Sequence, residues 1–252
     1  MVLLSALVAP APVVAQAQAK HAPAPADSIP NAGWRHIAVG AGLVAASFLV
    51  DAPIGNYFDG PHSPAATHAA LTFNKFGEIT GIGVVLGGLG VATIVTRKHA
   101  FAEATLRTAV GLALASGTTE VLKYAVGRQR PYLDPDRDAT DLHFFSGTPT
   151  GSPSFPSGHT STAFALATSL GDAAGKTWVK VILFGLATGT GWARLQQEAH
   201  WVSDVVAGAG IGILSAKFAD GKLRVLGMRA PRLLLSPQGT GLRWTVPLPA
   251  IR

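Results

Sequence analysis

Between Ile79 and Val95 the chain runs for 17 residues without a charged side chain, and Arg97-Lys98 stops the run. A helix of that composition has no polar face to offer water, so it is either buried all round or exposed to lipid. Trp34 to Val50 is a second apolar stretch, closed by Asp51-Ala52-Pro53. Further helices are expected at Phe101 to Val126, Gly158 to Leu170, Thr177 to Trp192 and Trp201 to Phe218. Ala65 to Phe76 reads as a short amphipathic helix lying at an interface. Tyr132 to Phe155 is a long polar loop, and loops of that length usually carry function. The expected fold is all-α: about six core helices in a membrane-embedded bundle.

Composition supports that reading. Charged residues make up 13% of the 252 and hydrophobic residues 48%, with a mean hydropathy of +0.33. The 29 glycines let helix backbones approach closely, as they do in a bilayer. No cysteine is present, which excludes disulfides and thiolate metal sites. The net charge of +6 suits an anionic partner such as a phosphate ester or a lipid head group. Nucleic acid is not expected, because no basic run carries interleaved aromatics.

The ends of the chain are different. Residues 1–19 read as the end of a secretory leader, with small residues at Val13-Val14-Ala15 or Ala15-Gln16-Ala17 for cleavage but no basic start. Residues 20–33 are a Pro/Ala-rich linker, 34–220 the helical domain, and 221–252 a tail. Within the tail, Arg232 to Val246 reads as two short strands around a glycine-containing turn, a small β-hairpin.

Three polar clusters interrupt the apolar helices. In the first, Lys123 and Arg130 are seven residues apart, and both would reach one anion if the helix persisted. The plainer alternative is a pair of cations anchoring a helix at the interface. In the second, Ser157, Gly158 and His159 stand at a helix start, where free backbone N–H groups and the dipole favour an anion. Ser157 adds a hydroxyl, Gly158 allows close approach, and His159 has a reference pKa suited to protonating a leaving oxygen. An ordinary serine N-cap beside an incidental histidine reads equally from the same residues. In the third, His200 and Asp204 are spaced i,i+4, which on a helix places both on one face. A carboxylate bound to one imidazole nitrogen fixes the tautomer and frees the other as a nucleophile. Arg194 lies six residues earlier, in reach of the same anion. Taken alone, such a pair is more often a solvated helix face.

The order Lys-x6-Arg-Pro, Pro-Ser-Gly-His, Arg-x5-His-x3-Asp resembles the phosphatidic acid phosphatase type 2 superfamily, which includes membrane lipid phosphatases, soluble bacterial acid phosphatases and vanadium haloperoxidases. The motifs cover residues 123–204, about a third of the chain. The resemblance implies His200 as the nucleophile forming a phosphohistidine, Asp204 as its orienting partner, and His159 as the acid that later activates water. It implies Lys123, Arg130, Arg194, Ser157 and the Gly158 N–H as holders of the phosphate oxygens. No metal or cofactor is implied. Ala193 stands where the family usually has serine, and Glu198 has no assigned role.

The expected substrate is a phosphorylated lipid or a small phosphoester: phosphatidate, phosphatidylglycerophosphate or an isoprenyl diphosphate. A soluble secreted acid phosphatase of broad specificity and a non-catalytic lipid-phosphate binder are the alternatives. The basic connections at Arg97-Lys98, Lys176 with Lys180, and Lys217 to Arg232 place one end of the bundle inside the cell. The site then faces the exterior from the inner membrane of a bacterial-type envelope. That orientation conflicts with a cleaved leader, which would leave the N-terminus outside. A soluble periplasmic or secreted protein is the alternative.

Overall fold

The computed structural model describes residues 29–146, 148, 151–230, 232–236 and 239–243. The leader expected over 1–19 and most of the linker lie outside the described residues.

The apolar runs form helices where the patterning places them. They are α1 (Trp34–Ser47), α2 (Asp51–Tyr57), α3 (Pro64–Gly77), α4 (Ile79–Thr96), α5 (His99–Val126), α6 (Gly158–Ala174), α7 (Thr177–Gln196) and α8 (Val202–Ala219). Caps set several ends. Ser63 accepts from Ala66 N ahead of Pro64 at the start of α3, and Ser157 accepts from Thr160 N at the start of α6. Gly127 (φ 59°) and Gly175 (φ 65°) end α5 and α6 in the left-handed conformation that glycine adopts without steric cost.

Two boundaries differ from the sequence reading. Asp51-Ala52-Pro53 does not end the first apolar stretch. α1 continues through a 3-10 turn at Phe48–Val50 into α2, with Pro53 in the first turn, where its missing N–H costs nothing. The third cluster is also not one helical face: α8 begins at Val202, so His200 precedes it in the turn after α7. The hairpin is present as strands Arg232–Ser236 and Gly239–Arg243, paired antiparallel. A short parallel pairing of Asn31–Ala32 with Arg224–Val225, with no alternating pattern behind it, joins the two ends of the domain.

α6 is the centre of the bundle and packs against α3, α5, α7 and α8. Its buried positions are small: Thr160, Ser161, Ala163, Ala165, Ala167, Ser169 and Gly171, with Leu166. The core clusters are accordingly alanine-rich, Ala115, Ala165, Leu166 and Ala216 on one side and Ala163, Ala167 and Ala187 on the other. Close approach replaces bulk. A Cβ built on Gly212 would lie 2.2 Å from Ser161 O, and one on Gly208 2.5 Å from Ser157 O. Gly212→Ala is therefore expected to force α6 and α8 apart and to cost about 1–3 kcal/mol, the usual scale of overpacking. The check is a fall in melting temperature of the detergent-solubilised protein.

Among the described residues, three helical segments are long and apolar enough to cross a membrane: Trp34–Tyr57, Ile79–Thr96 and Val202–Ala219. α4 leaves Ile79, Val84, Val91, Ile94 and Val95 largely exposed, which water disfavours and lipid does not. α3 is amphipathic as expected, but it does not lie free at an interface. It packs on α7 and α6, burying Ala70, Asn74 and Gly77.

Candidate active site

The end of α5, the start of α6, the end of α7 and the start of α8 meet at one end of the bundle, so the three polar clusters come together. Lys123 sits in the last turn of α5. Its Nζ is 3.8 Å from where a Cβ on Gly158 would stand, so the glycine leaves the ammonium room beside the α6 N-terminus. Arg130 lies beyond the Gly127 turn and not on the α5 helix, and its Nε donates to Ser152 O at 3.1 Å. Arg194, in the last turn of α7, is held by Asn74 Oδ1 at 3.0 Å and Gln197 Oε1 at 2.5 Å. Its Nε is buried without a partner, a donor left for a ligand oxygen.

Ser157 serves the helix: its Oγ accepts from Thr160 N and lies 2.9 Å from Thr160 Oγ1 in a fully buried setting. The capping reading of this residue holds, and the free N–H groups of the first turn of α6 point outward from it.

The two histidines face the cations. His159 and His200 lie outside the three apolar spans. Burial first, then the charges of Arg194, His200, Lys123 and Arg130, disfavour a proton on His159. His200 is 3% exposed. Burial pushes its pKa down to about 4, against the opposing pull of Asp204 and with help from Arg194 and Arg130. His200 is thus a neutral imidazole at ordinary pH.

What stands behind His200 is a buried ionic network. Asp204 Oδ2 lies 3.4 Å from His200 Nδ1, an ion-pair distance longer than a formed hydrogen bond. The same oxygen accepts from Trp201 N at 2.8 Å, and Oδ1 pairs with Arg128 Nη1 at 2.7 Å. Arg128, fully buried, also donates from Nη1 to Ser203 Oγ (2.6 Å), from Nη2 to Asp51 Oδ2 (2.7 Å) and from Nε to Ala139 O (3.0 Å). Its guanidinium stacks 4.5 Å from the centre of Phe48. Asp51 in turn accepts from Ser203 N (2.8 Å) and Ser203 Oγ (2.6 Å). One guanidinium therefore compensates two carboxylates, and the bonds to Trp201 N, Ser203 and Asp204 fix the start of α8.

Lys123, Arg130, Gly158, His159, Arg194, His200 and Asp204 are brought together. Asp51, Arg128, Ser203, Asn74 and Gln197 were not singled out from sequence. Asp51 had a signal, since it is the one carboxylate in the apolar segment 34–57 and ionisable groups in such segments are seldom idle. Asn74 had none. A polar residue on an amphipathic helix looks like its solvated face.

The family model of the PAP2 superfamily matches residues 104–219, from within α5 to the end of α8. Over 120 residues, 47% of this chain, the sequence is 36% identical to a lipid A 1-phosphatase of Porphyromonas gingivalis, of whose length the match spans 23%. The fold is similar to that of the Aquifex aeolicus LpxE crystal structure, with a TM-score of 0.52, 25% identity, and coverage of 68% of this chain and 94% of that one. It is also similar to a transmembrane PAP2 type phosphatidylglycerolphosphate phosphatase from Bacillus subtilis, with a TM-score of 0.57, 20% identity, and coverage of 73% and 92%. The PAP2 segment holds the three motifs. Asp51 and Asn74, which brace Arg128 and Arg194, come from the helices before it.

Proposed function

We propose that this chain is a phosphatase acting on phosphorylated lipids, and that the reaction passes through a phosphohistidine on His200. The observation that carries the reading is a neutral, buried imidazole backed by Asp204 and facing Arg130 and Arg194, with Lys123 beside His159. The names of the relatives, a lipid A 1-phosphatase and a phosphatidylglycerolphosphate phosphatase, support a phosphorylated lipid as the substrate class.

The three cations and the N–H groups at the start of α6 hold the phosphate oxygens and the charge that builds on them. The Nε2 lone pair of His200 attacks phosphorus as the P–O bond to the lipid breaks, and Asp204 stabilises the imidazolium through Nδ1. His159 gives its proton to the leaving oxygen. Burial first, and then the surrounding cations, disfavour a proton on His159, and the negative charge of an arriving phosphate offsets the part due to the cations. In the second half, neutral His159 takes a proton from water, the hydroxide attacks phosphorus, the P–N bond breaks, and inorganic phosphate leaves.

Asp204→Asn is expected to lower kcat by about 10⁴-fold, the scale on which a histidine loses its tautomer and orientation when its carboxylate becomes an amide. A kcat profile on a lipid phosphate measures it. The acid limb belonging to His200 is expected below the ordinary imidazole range. Its depressed pKa keeps the ring neutral, and so nucleophilic, until pH falls toward about 4.

The exposed apolar faces of α1 and α4 support a place in the inner membrane. The basic residues gather at the end opposite the site: Asp172, near the end of α6, binds Lys180 (2.8 Å), Lys217 (2.5 Å) and Lys222 (3.3 Å). By the positive-inside rule that end is cytoplasmic and the site faces out. The test of function is phosphate release from a panel of lipid and water-soluble monoesters and diphosphates, with detergent-solubilised protein. Preference for lipid phosphates is the expected result. Equal turnover of soluble esters, with recovery in a soluble extract, would favour a secreted acid phosphatase instead.

A further inference from the structure

Two charged residues that the three motifs leave unassigned meet at the turn that carries His200. Arg137 Nη1 lies 2.6 Å from Glu198 Oε2 and 3.3 Å from Asp59 Oδ1, while Nη2 donates to Gly55 O at 2.7 Å. Tyr132 N donates to Glu198 O at 3.1 Å. One guanidinium thus ties together α2, the segment that follows Arg130, and the turn between α7 and α8.

The backbone at both residues is in the left-handed region, with φ of 50° at Arg137 and at Glu198. Neither is glycine, and side-chain-bearing residues keep that conformation only where their surroundings over-determine it. Within the turn itself, Glu198 N donates to Leu195 O and Ala199 N to Arg194 O, bonds that shape the turn but do not dock it. The docking comes from other chain segments. Trp201 presses on Gly55, whose Cβ would stand 2.7 Å from the indole, and Ser203 is bound to Asp51. Toward His200 the packing leaves a gap of about 10 Å³, room for about one water, walled by Ile54, Phe58, Pro131, Leu195 and Trp201 with Arg137 and Glu198. On that side the nucleophile is backed by a charged tie. Among the described residues, neither Arg137 nor Glu198 is hydrogen-bonded to Lys123, Arg130, Arg194 or the two histidines.

We propose that Arg137 and Glu198 are positioning residues for the nucleophile: their ion pair closes the left-handed turn at residue 198 and so aims the His200 imidazole along the line of attack. The proposal rests on the reading of His200 as the nucleophile. It gives Glu198 a role that no motif assigns. Opening the pair releases the left-handed turn from α2 and from the segment after Arg130, which misdirects the ring without removing any group that binds phosphate.

The test is a double-mutant cycle on the full chain in detergent, with Glu198→Gln, Arg137→Gln and the double variant. Readouts are kcat and KM for one lipid phosphate, and melting temperature. Each single variant is expected to lose about 10- to 100-fold in kcat, the range set by an ångström-scale misplacement of a reacting group, with KM and melting temperature essentially unchanged. The double variant is expected to be no worse than the weaker single, since both remove one interaction. Arg137→Lys keeps the charge but loses the fork, and is expected to fall between wild type and Arg137→Gln. That variant also serves as the test if Arg137→Gln fails to fold. Wild-type kcat in Glu198→Gln, strictly additive losses, or KM and stability falling together with kcat would each overturn the proposal. His200→Ala run in parallel separates the two readings. Turnover by His200→Ala removes the nucleophile reading, whereas an inactive His200→Ala beside fully active glutamine variants removes the clamp alone.

Discussion

Replacing His200 by alanine is expected to lower kcat by about 10⁴-fold or more while leaving the fold intact, because loss of a covalent nucleophile removes the step and not merely its efficiency. The side chain is buried, with a gap of about 10 Å³ on one face. The bonds that organise the start of α8 run through Asp204, Arg128, Asp51 and Ser203 and not through the imidazole. Binding should survive, since Lys123, Arg130 and Arg194 remain. A His200→Ala protein that melts near wild type, retains affinity for a lipid phosphate and releases no phosphate is the expected outcome. Measured turnover within tenfold of wild type would take His200 out of the reaction.

The second large effect is structural in origin. Arg128→Met is expected to cost about 3–5 kcal/mol, the scale of breaking a buried ion pair by removing one partner. Two fully buried carboxylates, Asp51 and Asp204, would be left facing each other across an apolar gap, with Ala139 O and Ser203 Oγ losing a donor as well. Removing Arg128 should therefore do more harm than removing any of the three phosphate-facing cations. Those line the proposed phosphate site and repel each other, so their loss should raise KM or lower kcat and leave stability unchanged or improved. Thermal melting in detergent separates the cases: a large drop for Arg128→Met, and little or none for Lys123→Met. Equal drops would show that the network does not carry the α2–α8 junction.

Much of this was legible in the chain, for a physical reason. Helices here are long, poor in charge and interrupted by polar clusters, so their existence and order follow from hydropathy, and the clusters fall at helix ends. The chemistry of the three motifs reads from sequence because each motif sits at a helix start or stop, where orphan N–H groups and side chains project into one place. Boundaries were less visible. Pro53 looked like a break and is absorbed in a first helical turn, and His200–Asp204 looked like one helical face but is a residue before a helix paired with one inside its first turn. Hidden altogether was the support behind the site. Asp51 lies 153 positions before Asp204 in sequence, and nothing local says that Arg128 between them bonds to both. Asn74 was disguised as part of a solvated face, and Arg137 and Glu198 as ordinary loop charges. These depend on how helices are placed in space, which periodicity does not encode.

The most direct measurement is on the covalent intermediate. Protein incubated briefly with a lipid monoester carrying radioactive phosphate, then quenched in alkali and digested, should yield one labelled peptide spanning Ala199-His200-Trp201. The label should survive base, be lost in acid as a phosphoramidate is, and be absent from His200→Ala. Label on a serine or on another histidine, or rapid turnover with no trapped label at any quench time, would contradict an attacking imidazole at residue 200.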